Sequence, residues 1–438
     1  MTRPVLVTVL ASAALALAFF IFFAGPVPSV ISKPQGSAAG APEVTREAVG
    51  EPQSEPGIGS GTNPDHRAQN QGGGGQNEAT GNEVEEPAGS YFHAEEFQRL
   101  SEFVERTREQ RKKWPPRIAV KGIYLSGAAA GSDEIFSRLL KLVEDTELNA
   151  MVIDVKDGTG KTTYLSQVDL VQQVGAQGNK IKDLRRRIRV LKEKGIYTIA
   201  RLVVFKDPLL ARNRPDLAVR RLTGGNWKDR TGAGWTNPYQ RQVWEYNLAI
   251  AREAARMGFD EIQFDYVRFP SDGDLSQAWY PSQDQRSRAD VIAEYLAYAR
   301  QELHKEGVYV SADVFGLVCS AEDDLGIGQV LEKVAPHVDF ISPMVYPSHY
   351  APRSYGLSDP DAMPYQTVLK SMQDATKRLQ AMGSNAVLRP WLQDFSLRHR
   401  YGRSEVLAQI LAVEEAGWNQ WLLWNANSNF TFDGIPWH

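Results

Sequence analysis

The sequence has little of what metal, disulfide or nucleotide chemistry requires. Its 438 residues contain one cysteine, Cys319, so no disulfide can form within the chain and no zinc site can rest on several cysteines. The seven histidines show neither a His-x-x-x-His nor a His-x-His spacing, so we expect no metal and no other cofactor. The net charge of −4 is mild and gives no reason to expect a nucleic acid partner.

Motifs of other enzyme classes are also missing. No Gly-x-Ser-x-Gly motif marks a serine hydrolase. No Gly-x-Gly-x-x-Gly follows the first apolar run, and no Gly-Lys-Ser/Thr phosphate loop is present. Hydrophobic residues make up 42% and charged residues 23% of the chain, which is typical of a globular protein.

The first part of the chain differs from the rest. Residues 4–24 are almost wholly apolar and long enough to span a bilayer, which predicts a signal anchor or, alternatively, a cleaved signal peptide over 1–32. Both interpretations place the protein outside the cytoplasm, either anchored in the membrane or secreted. Residues 33–90 are rich in Gly, Pro and Glu without aromatics, which predicts a disordered linker. Residues 91–116 are predicted to be an amphipathic helix that leans on the following domain.

From residue 117 to 438, short apolar runs alternate with amphipathic stretches. The apolar runs predict strands at 120–125, 150–155, 197–205, 261–267, 308–314, 340–346, 386–392 and 420–424. Helical spacing predicts helices at 132–146, 181–194, 240–256, 289–305, 326–334, 367–382 and 404–416. This alternation predicts an α/β fold with a parallel sheet, and eight strands fit a (β/α)8 TIM barrel. A doubly wound open sheet is the alternative, and little sequence remains after the last strand for an eighth helix.

The run at 258–272 ends in a polar loop and is the centre of the predicted site. Alternation along a strand places Glu261, Gln263 and Asp265 on one face, where an ordinary core would not hold two unpaired carboxylates. Glu261 lies deep in the strand and is expected to pair inside the barrel. Asp265 lies at the C-terminal end of the strand, where barrel enzymes place their catalytic groups, and we predict it to be a nucleophile or charge stabiliser.

A second carboxylate, Asp313, ends the next predicted strand. Because adjacent strands lie about 4.8 Å apart, Asp265 and Asp313 can form the pair that glycoside hydrolysis uses, with Asp313 as general acid/base. The apolar neighbours of Asp313 are expected to raise its pKa, and Arg201 or Arg268 to keep Asp265 ionised. Glu322, in an acidic run after that strand, is the alternative acid.

Polar and aromatic residues at the other strand ends complete the predicted cleft. The predicted substrate-binding residues are Asp154, Lys156, Arg201, Trp235, Arg268, Tyr346, His349, Trp391 and Trp424. Trp235 is included because tryptophans in a Gly-rich loop are costly to leave in water unless they cover something, although a hydrophobic plug within the loop is the alternative. Indole rings stack on sugar rings, so a carbohydrate is the natural ligand of such a cleft.

Five stretches of the sequence together resemble one family. They are Val-Lys-Gly-Ile-Tyr-Leu at 120–125, Val-Ile-Asp-Val-Lys-Asp at 152–157, Gln-Phe-Asp-Tyr-Val-Arg-Phe-Pro at 263–270, Ser-Ala-Asp-Val-Phe-Gly at 311–316 and Ile-Ser-Pro-Met-Val-Tyr-Pro-Ser-His-Tyr at 341–350. They resemble the glycoside hydrolase domain family of exported bacterial proteins, and Phe-Asp-Tyr-Val-Arg-Phe-Pro at 264–270 is the most specific of them. The resemblance implies a (β/α)8 barrel and glycan hydrolysis, and it supports Asp265 as the reacting carboxylate.

The sequence therefore predicts a glycoside hydrolase that acts on an extracytoplasmic polysaccharide through paired carboxylates. The alternative is a non-catalytic glycan-binding or envelope scaffold protein on a degenerate barrel. That protein would keep the aromatic cleft but lack a competent carboxylate pair. The two hypotheses differ in geometry, because carboxylates more than about 10 Å apart cannot act as such a pair.

Overall fold

The computed structural model describes residues 114–431 and Ile435. The predicted signal segment and linker, and the predicted helix up to residue 113, lie outside the described residues. Within the described part of the chain, no helix is both long enough and apolar enough to cross a membrane.

Eight strand positions close into a parallel barrel, which confirms the predicted fold. In chain order the strands are β1 (Lys121–Leu125), β2 (Ala150–Lys156), β3 (Tyr197–Val203), β4 (Arg220–Arg221), β5 (Glu261–Asp265), β6 (Ala278–Trp279), β7 (Tyr309–Phe315), β8 (Phe340–Met344), β9 (Val387–Leu388), β10 (Trp391–Gln393) and β11 (Trp421–Trp424). β4 and β6 form a separate antiparallel pair. The others form one sheet in the order β10-β11-β1-β2-β3-β5-β7-β8-β9, and a further β10–β8 pairing closes it.

The seventh position of the barrel is a broken strand. β9 and β10 both pair with β8, and Arg389 and Pro390 lie between them. Proline has no N–H to donate to the sheet, which explains the break. The last strand, β11, pairs in parallel with β1, with Lys121 opposite Trp421, so the barrel closes without a helix between Trp424 and Thr431.

The helices lie between the strands largely where the sequence predicts them. Their bounds are Gly127–Gly131, Asp133–Asp145, Asp169–Gln173, Leu184–Glu193, Pro208–Asn213, Arg241–Met257, Arg288–Lys305, Leu331–Val334, Pro364–Ala381 and Arg403–Glu415. The prediction at 326–334 was wrong over most of its length, since only Leu331–Val334 is helical. Gly326 and Gly328 adopt φ angles of 69° and 80°, in the left-handed region that a right-handed helix excludes.

The lower interior of the barrel is held by a buried ion pair. Arg389 donates to both carboxylate oxygens of Glu261, one of them at 3.1 Å, and neither side chain is exposed to solvent. The hydroxyl groups of Tyr197 and Ser311 donate to the same carboxylate. A buried charge is tolerated when it is paired and hydrogen-bonded, as the Glu261 carboxylate is here. The expected pairing of Glu261 inside the barrel is confirmed.

Replacing Arg389 by Met should destabilise the fold strongly, because it leaves the Glu261 carboxylate buried without a counter-charge. We expect a loss of about 3–5 kcal/mol in the free energy of unfolding, measured by urea denaturation. The double variant Arg389→Met/Glu261→Gln should regain a large part of that loss. As a control, Arg256→Met at the exposed Arg256–Glu306 pair should change stability little. Equal losses in the single and double Arg389 variants would contradict the argument.

Candidate active site

A cavity of about 380 Å³ opens at the C-terminal ends of the barrel strands. This is the face on which barrel enzymes carry their active sites. Nine of the eleven predicted site residues line it: Asp154, Arg201, Asp265, Arg268, Asp313, Tyr346, His349, Trp391 and Trp424. The cavity therefore brings together side chains from strand ends that are far apart in sequence.

Asp265 and Asp313 lie side by side in this cavity. Gln263 of β5 is opposite Ser311 of β7, and Phe264 is opposite Ala312, so the next residues on the two strands are the two aspartates. Adjacent strands are about 4.8 Å apart. Both carboxyl groups line the same cavity, so neighbouring strands carry the two carboxyl groups to one space.

Asp265 is held in an ionic and hydrogen-bonded setting. The Arg201 Nε donates to its Oδ2 at 3.0 Å, and a second guanidinium nitrogen donates to the same oxygen. The Tyr266 backbone N–H donates to its Oδ1 at 2.6 Å. Tyr266 has a φ of 50°, a left-handed conformation that costs a non-glycine residue energy and that tends to occur at functional sites. The strained turn thus aims a backbone donor at the Asp265 carboxylate.

Arg201 also contacts a second carboxylate on its other side. Its Nη1 donates to Asp154 Oδ1 at 2.6 Å, and the Tyr124 hydroxyl donates to Asp154 Oδ2 at 2.6 Å. Burial raises the pKa of Asp154, and the positive charge of Arg201 opposes this effect. Tyr124, Asp154, Arg201 and Asp265 therefore form a continuous chain of hydrogen bonds across the mouth of the barrel.

Asp313 lies in a different environment from Asp265. It is only 1% exposed and accepts a hydrogen bond of 2.8 Å from Trp391 Nε1. Burial raises the pKa of Asp313 well above its usual value, and the nearby charge of Asp265 raises it further. Arg201 and the indole N–H of Trp391 act in the opposite direction. A carboxyl group with a raised pKa keeps its proton at higher pH, as a general acid must.

Aromatic rings form much of the cavity wall. Trp424 stacks on Tyr124 with ring centroids 4.1 Å apart and meets Trp391 edge to face at 5.4 Å. His349 contacts Tyr346 at 5.4 Å, and burial lowers the pKa of His349 to about 4. Its imidazole is therefore neutral at neutral pH. These rings give the cavity apolar faces beside its charged groups.

The structure places Lys156 outside the cavity, contrary to the sequence interpretation. The register between β2 and β3 shifts between Asp154 and Lys156, which breaks the alternation that would put both on one face. The Lys156 ammonium group is fully buried, 2.8 Å from the Asp207 carboxylate and 3.0 Å from Asn247 Oδ1. Lys156 thus fixes the packing of β2 rather than facing a ligand.

Trp235 also lies outside the cavity. It is 2% exposed, and its Nε1 donates to Asp229 Oδ2 at 3.0 Å. Its ring packs behind two lining residues, with the Arg268 guanidinium 4.9 Å and the Tyr266 ring 5.9 Å from its centroid. This position agrees with the alternative interpretation of the loop as a hydrophobic plug that supports the cavity wall.

Several lining residues were not among the predicted site residues. Tyr266 and Phe315 follow the two aspartate-bearing strand ends, and Lys180 enters from a loop, where it pairs with Asp157 at 2.7 Å. No local pattern marks Lys180, because its place depends on packing between distant segments. The alternative acid Glu322 is exposed and does not line the cavity. Among the described residues there is no cluster of three His, Cys, Asp or Glu side chains that would hold a metal ion.

A family model described as "Putative glycosyl hydrolase domain" matches residues 122–430. The chain belongs to this family. The match spans the whole barrel, so the predicted resemblance and the assignment to the glycoside hydrolase class are confirmed. No curated protein matches the chain.

Two solved structures are similar to the chain, and the first of them shares its fold. The glycoside hydrolase domain of PgaB (BpsB) from Bordetella bronchiseptica is 12% identical, with 71% of this chain and 95% of that chain covered and a TM-score of 0.54. A hypothetical protein from Ruminiclostridium thermocellum is 40% identical, with 44% of this chain and 97% of that chain covered and a TM-score of 0.41. At 12% identity, the PgaB likeness concerns the barrel and not the chemistry.

Removing the Arg201 guanidinium, which lies between the Asp154 and Asp265 carboxylates, should lower the free energy of unfolding by an amount that depends on pH. In Arg201→Met, Asp154 loses the charge that opposes the effect of burial, so its folded-state pKa rises further above the unfolded one. Stability is then retained at low pH, where the group is protonated, and lost as pH rises. We expect a deficit of about 3 kcal/mol near neutral pH that shrinks in acid, measured by denaturant unfolding.

The matched control is Arg230→Met, which removes an exposed arginine on a loop. It should leave stability nearly unchanged at every pH. A deficit of the same size in acid and at neutral pH for Arg201→Met would show that the lost contact is not electrostatic.

Proposed function

We propose that the chain is an exported enzyme that hydrolyses an extracytoplasmic polysaccharide with Asp265 and Asp313 as the reacting carboxyl groups. One observation carries this proposal: two neighbouring carboxyl groups face one cavity in opposite electrostatic settings. Asp265 is paired with Arg201, whereas Asp313 is buried and has a raised pKa. Opposed settings of this kind separate the two roles that glycoside hydrolysis requires.

The mechanism follows from these settings. Asp313 gives its proton to the glycosidic oxygen while Asp265 attacks the anomeric carbon, so the C–O bond breaks and a glycosyl ester forms on Asp265. Asp313, now ionised, takes a proton from a water molecule whose oxygen then displaces Asp265. In this proposal the two groups, carried by neighbouring strands that lie about 4.8 Å apart, come within the separation of about 5–5.5 Å that a double displacement uses.

The cavity walls supply binding and positioning. Arg201 holds the Asp265 carboxylate in position and compensates its negative charge. Asp154, which accepts a hydrogen bond from Tyr124, fixes the orientation of Arg201. The rings of Trp391, Trp424 and Tyr346 give the cavity apolar walls for sugar C–H groups, and the Arg268 guanidinium and neutral His349 add polar groups to its lining. A mixed aromatic and polar lining of this kind suits a hydroxyl-rich ligand with apolar ring faces.

The N-terminal sequence supports action outside the cytoplasm. Residues 4–24 form an apolar run long enough to span a bilayer, and residues 33–90 have the composition of a flexible linker. In this proposal the linker carries the barrel away from the membrane, or follows a cleaved signal peptide. The barrel then reaches polysaccharides of the cell envelope or its surroundings.

Asp265→Asn should abolish turnover while leaving the fold intact, because the amide keeps the size of the side chain but removes the nucleophilic charge. The measurement is hydrolysis of a panel of bacterial envelope and exopolysaccharide glycans by the parent and the variant. A drop of at least about 10³-fold in kcat is expected. Glu322→Gln is the matched control for the alternative acid and should retain full activity. Unchanged activity of Asp265→Asn would refute the assignment, and binding without cleavage by both proteins would favour a glycan-binding scaffold.

Trp391→Phe should shift the pH profile of kcat/KM. The alkaline limb of this profile reports loss of the general acid's proton in the free enzyme. The Trp391 N–H lowers the pKa of Asp313, so removing it should raise that pKa and move the limb to higher pH. Trp424→Phe is the control, since it alters the cavity wall but keeps the donor to Asp313. A limb that stays in place in Trp391→Phe would exclude Asp313 as the acid.

A further inference from the structure

A second cavity, of about 500 Å³, lies beside the proposed catalytic cavity. The two share His349 and Trp424 in their linings, so they meet along one wall. The rest of the second cavity comes from the loops that follow β10 and β11. Its size falls within the range of small-molecule binding sites.

The loop after β11 presents two amide side chains on an ordered backbone. Asn425 Oδ1 accepts the backbone N–H of Asn427 at 3.0 Å and that of Asn429 at 3.4 Å, while its Nδ2 donates to the Asp394 carbonyl at 2.6 Å. The side chains of Asn427 and Asn429 line the cavity, are exposed, and make no hydrogen bond to any other residue that the structure describes. Among the residues that the structure describes, the donors and the acceptor of each amide thus have no protein partner.

Apolar surface faces the same space. Phe395 is half-buried and packs against His349, with ring centroids 5.9 Å apart. Leu397, two residues further along the same loop, is 38% exposed. Amides beside apolar surface match the alternation of hydroxyl groups and C–H faces on a sugar ring.

The charges of the second cavity differ from those of the first. Arg201, Arg268 and Lys180 line the first cavity, but no lysine or arginine lines the second among residues 114–431. Its buried carboxyl group, Asp394, accepts from the Thr431 backbone at 2.7 Å and from its hydroxyl at 2.6 Å. An anionic sugar would meet no cationic side chain in this lining, and Arg398 of the loop after β10 is paired with Asp361 at 3.6 Å, so the lining fits an uncharged sugar.

We propose that the second cavity is a binding subsite for uncharged sugar units next to the bond that is cleaved. The substrate is then a chain of sugars that spans both cavities past Trp424, and Asn427 and Asn429 select it by hydrogen bonds to its hydroxyl groups. This inference rests on the proposed glycoside hydrolase function and adds to it the class of substrate: a polymer that is neutral at this position.

The test uses neutral oligosaccharides of glucose, galactose and N-acetylglucosamine in short and long forms. Binding is measured by calorimetry with full-length Asp265→Asn protein, with and without the added changes Asn427→Ala and Asn429→Ala. Affinity should rise with chain length in Asp265→Asn alone. Loss of the two amides should lower the affinity for the long form about 10-fold and leave the short form unchanged. Asn385→Ala, an exposed asparagine that precedes β9 at the other end of the barrel, is the matched control.

Hydrolysis of the same series separates this inference from the proposed function. With Asp265 restored, the double asparagine variant should raise KM for the long form and leave kcat for the short form unchanged. Affinity independent of chain length, no binding of any of these sugars, equal affinity with and without the two amides, or tighter binding of an oligogalacturonate would each overturn the subsite. In each of those cases, loss of hydrolysis in Asp265→Asn would still support the proposed glycoside hydrolase function. Conversely, length-dependent binding that needs the amides would uphold the subsite even if Asp265→Asn remained active.

Discussion

The mouth of the barrel depends on one cation placed between two carboxylates. Arg201 has little solvent around it, so its charge is compensated by Asp154 on one side and Asp265 on the other. Two carboxylates at this depth would repel each other without it. With it, Asp265 sits in an ion pair, whereas burial raises the pKa of Asp313 and the nearby charge of Asp265 raises it further. The contrast between the two carboxyl groups therefore depends on the position of Arg201 and on the burial of Asp313.

The barrel interior below Arg201 contains a second group of buried polar side chains, and β5 contributes residues to both levels. Its inward side chains are Glu261, Gln263 and Asp265, at successive heights in the barrel. Glu261 is neutralised by Arg389, and Gln263 donates to the Ser342 hydroxyl at 3.2 Å. Only Asp265, the topmost, reaches the cavity. One strand thus contributes to two ion pairs. At its start Glu261 pairs with Arg389 in the lower interior, and at its end Asp265 pairs with Arg201 in the cavity.

Family membership and site geometry contribute different parts of the functional argument. Membership gives the class of enzyme. The barrel shared with the PgaB domain shows that the fold is kept when only 12% of the residues are identical. The reaction depends on the side chains at the strand ends and in the loops, because the same barrel fold supports many different reactions. In this chain Asp265 and Asp313 differ in environment, since Asp265 is paired with Arg201 and Asp313 is buried beside Trp391. The neighbouring cavity past Trp424 adds amide and apolar surface next to them.

The sequence by itself determined the barrel and predicted the two aspartates that line one cavity. Alternating apolar runs and helical stretches fix a parallel sheet, and alternation within 261–265 points Asp265 into it, since these patterns are local. Tertiary structure alone decided which neighbours share the cavity. A register shift turns Lys156 away from the face that carries Asp154. Loop packing buries Trp235 behind Arg268, and Lys180 reaches the cavity from another loop. Strand register and loop packing depend on contacts between residues far apart in the chain, which no local pattern encodes.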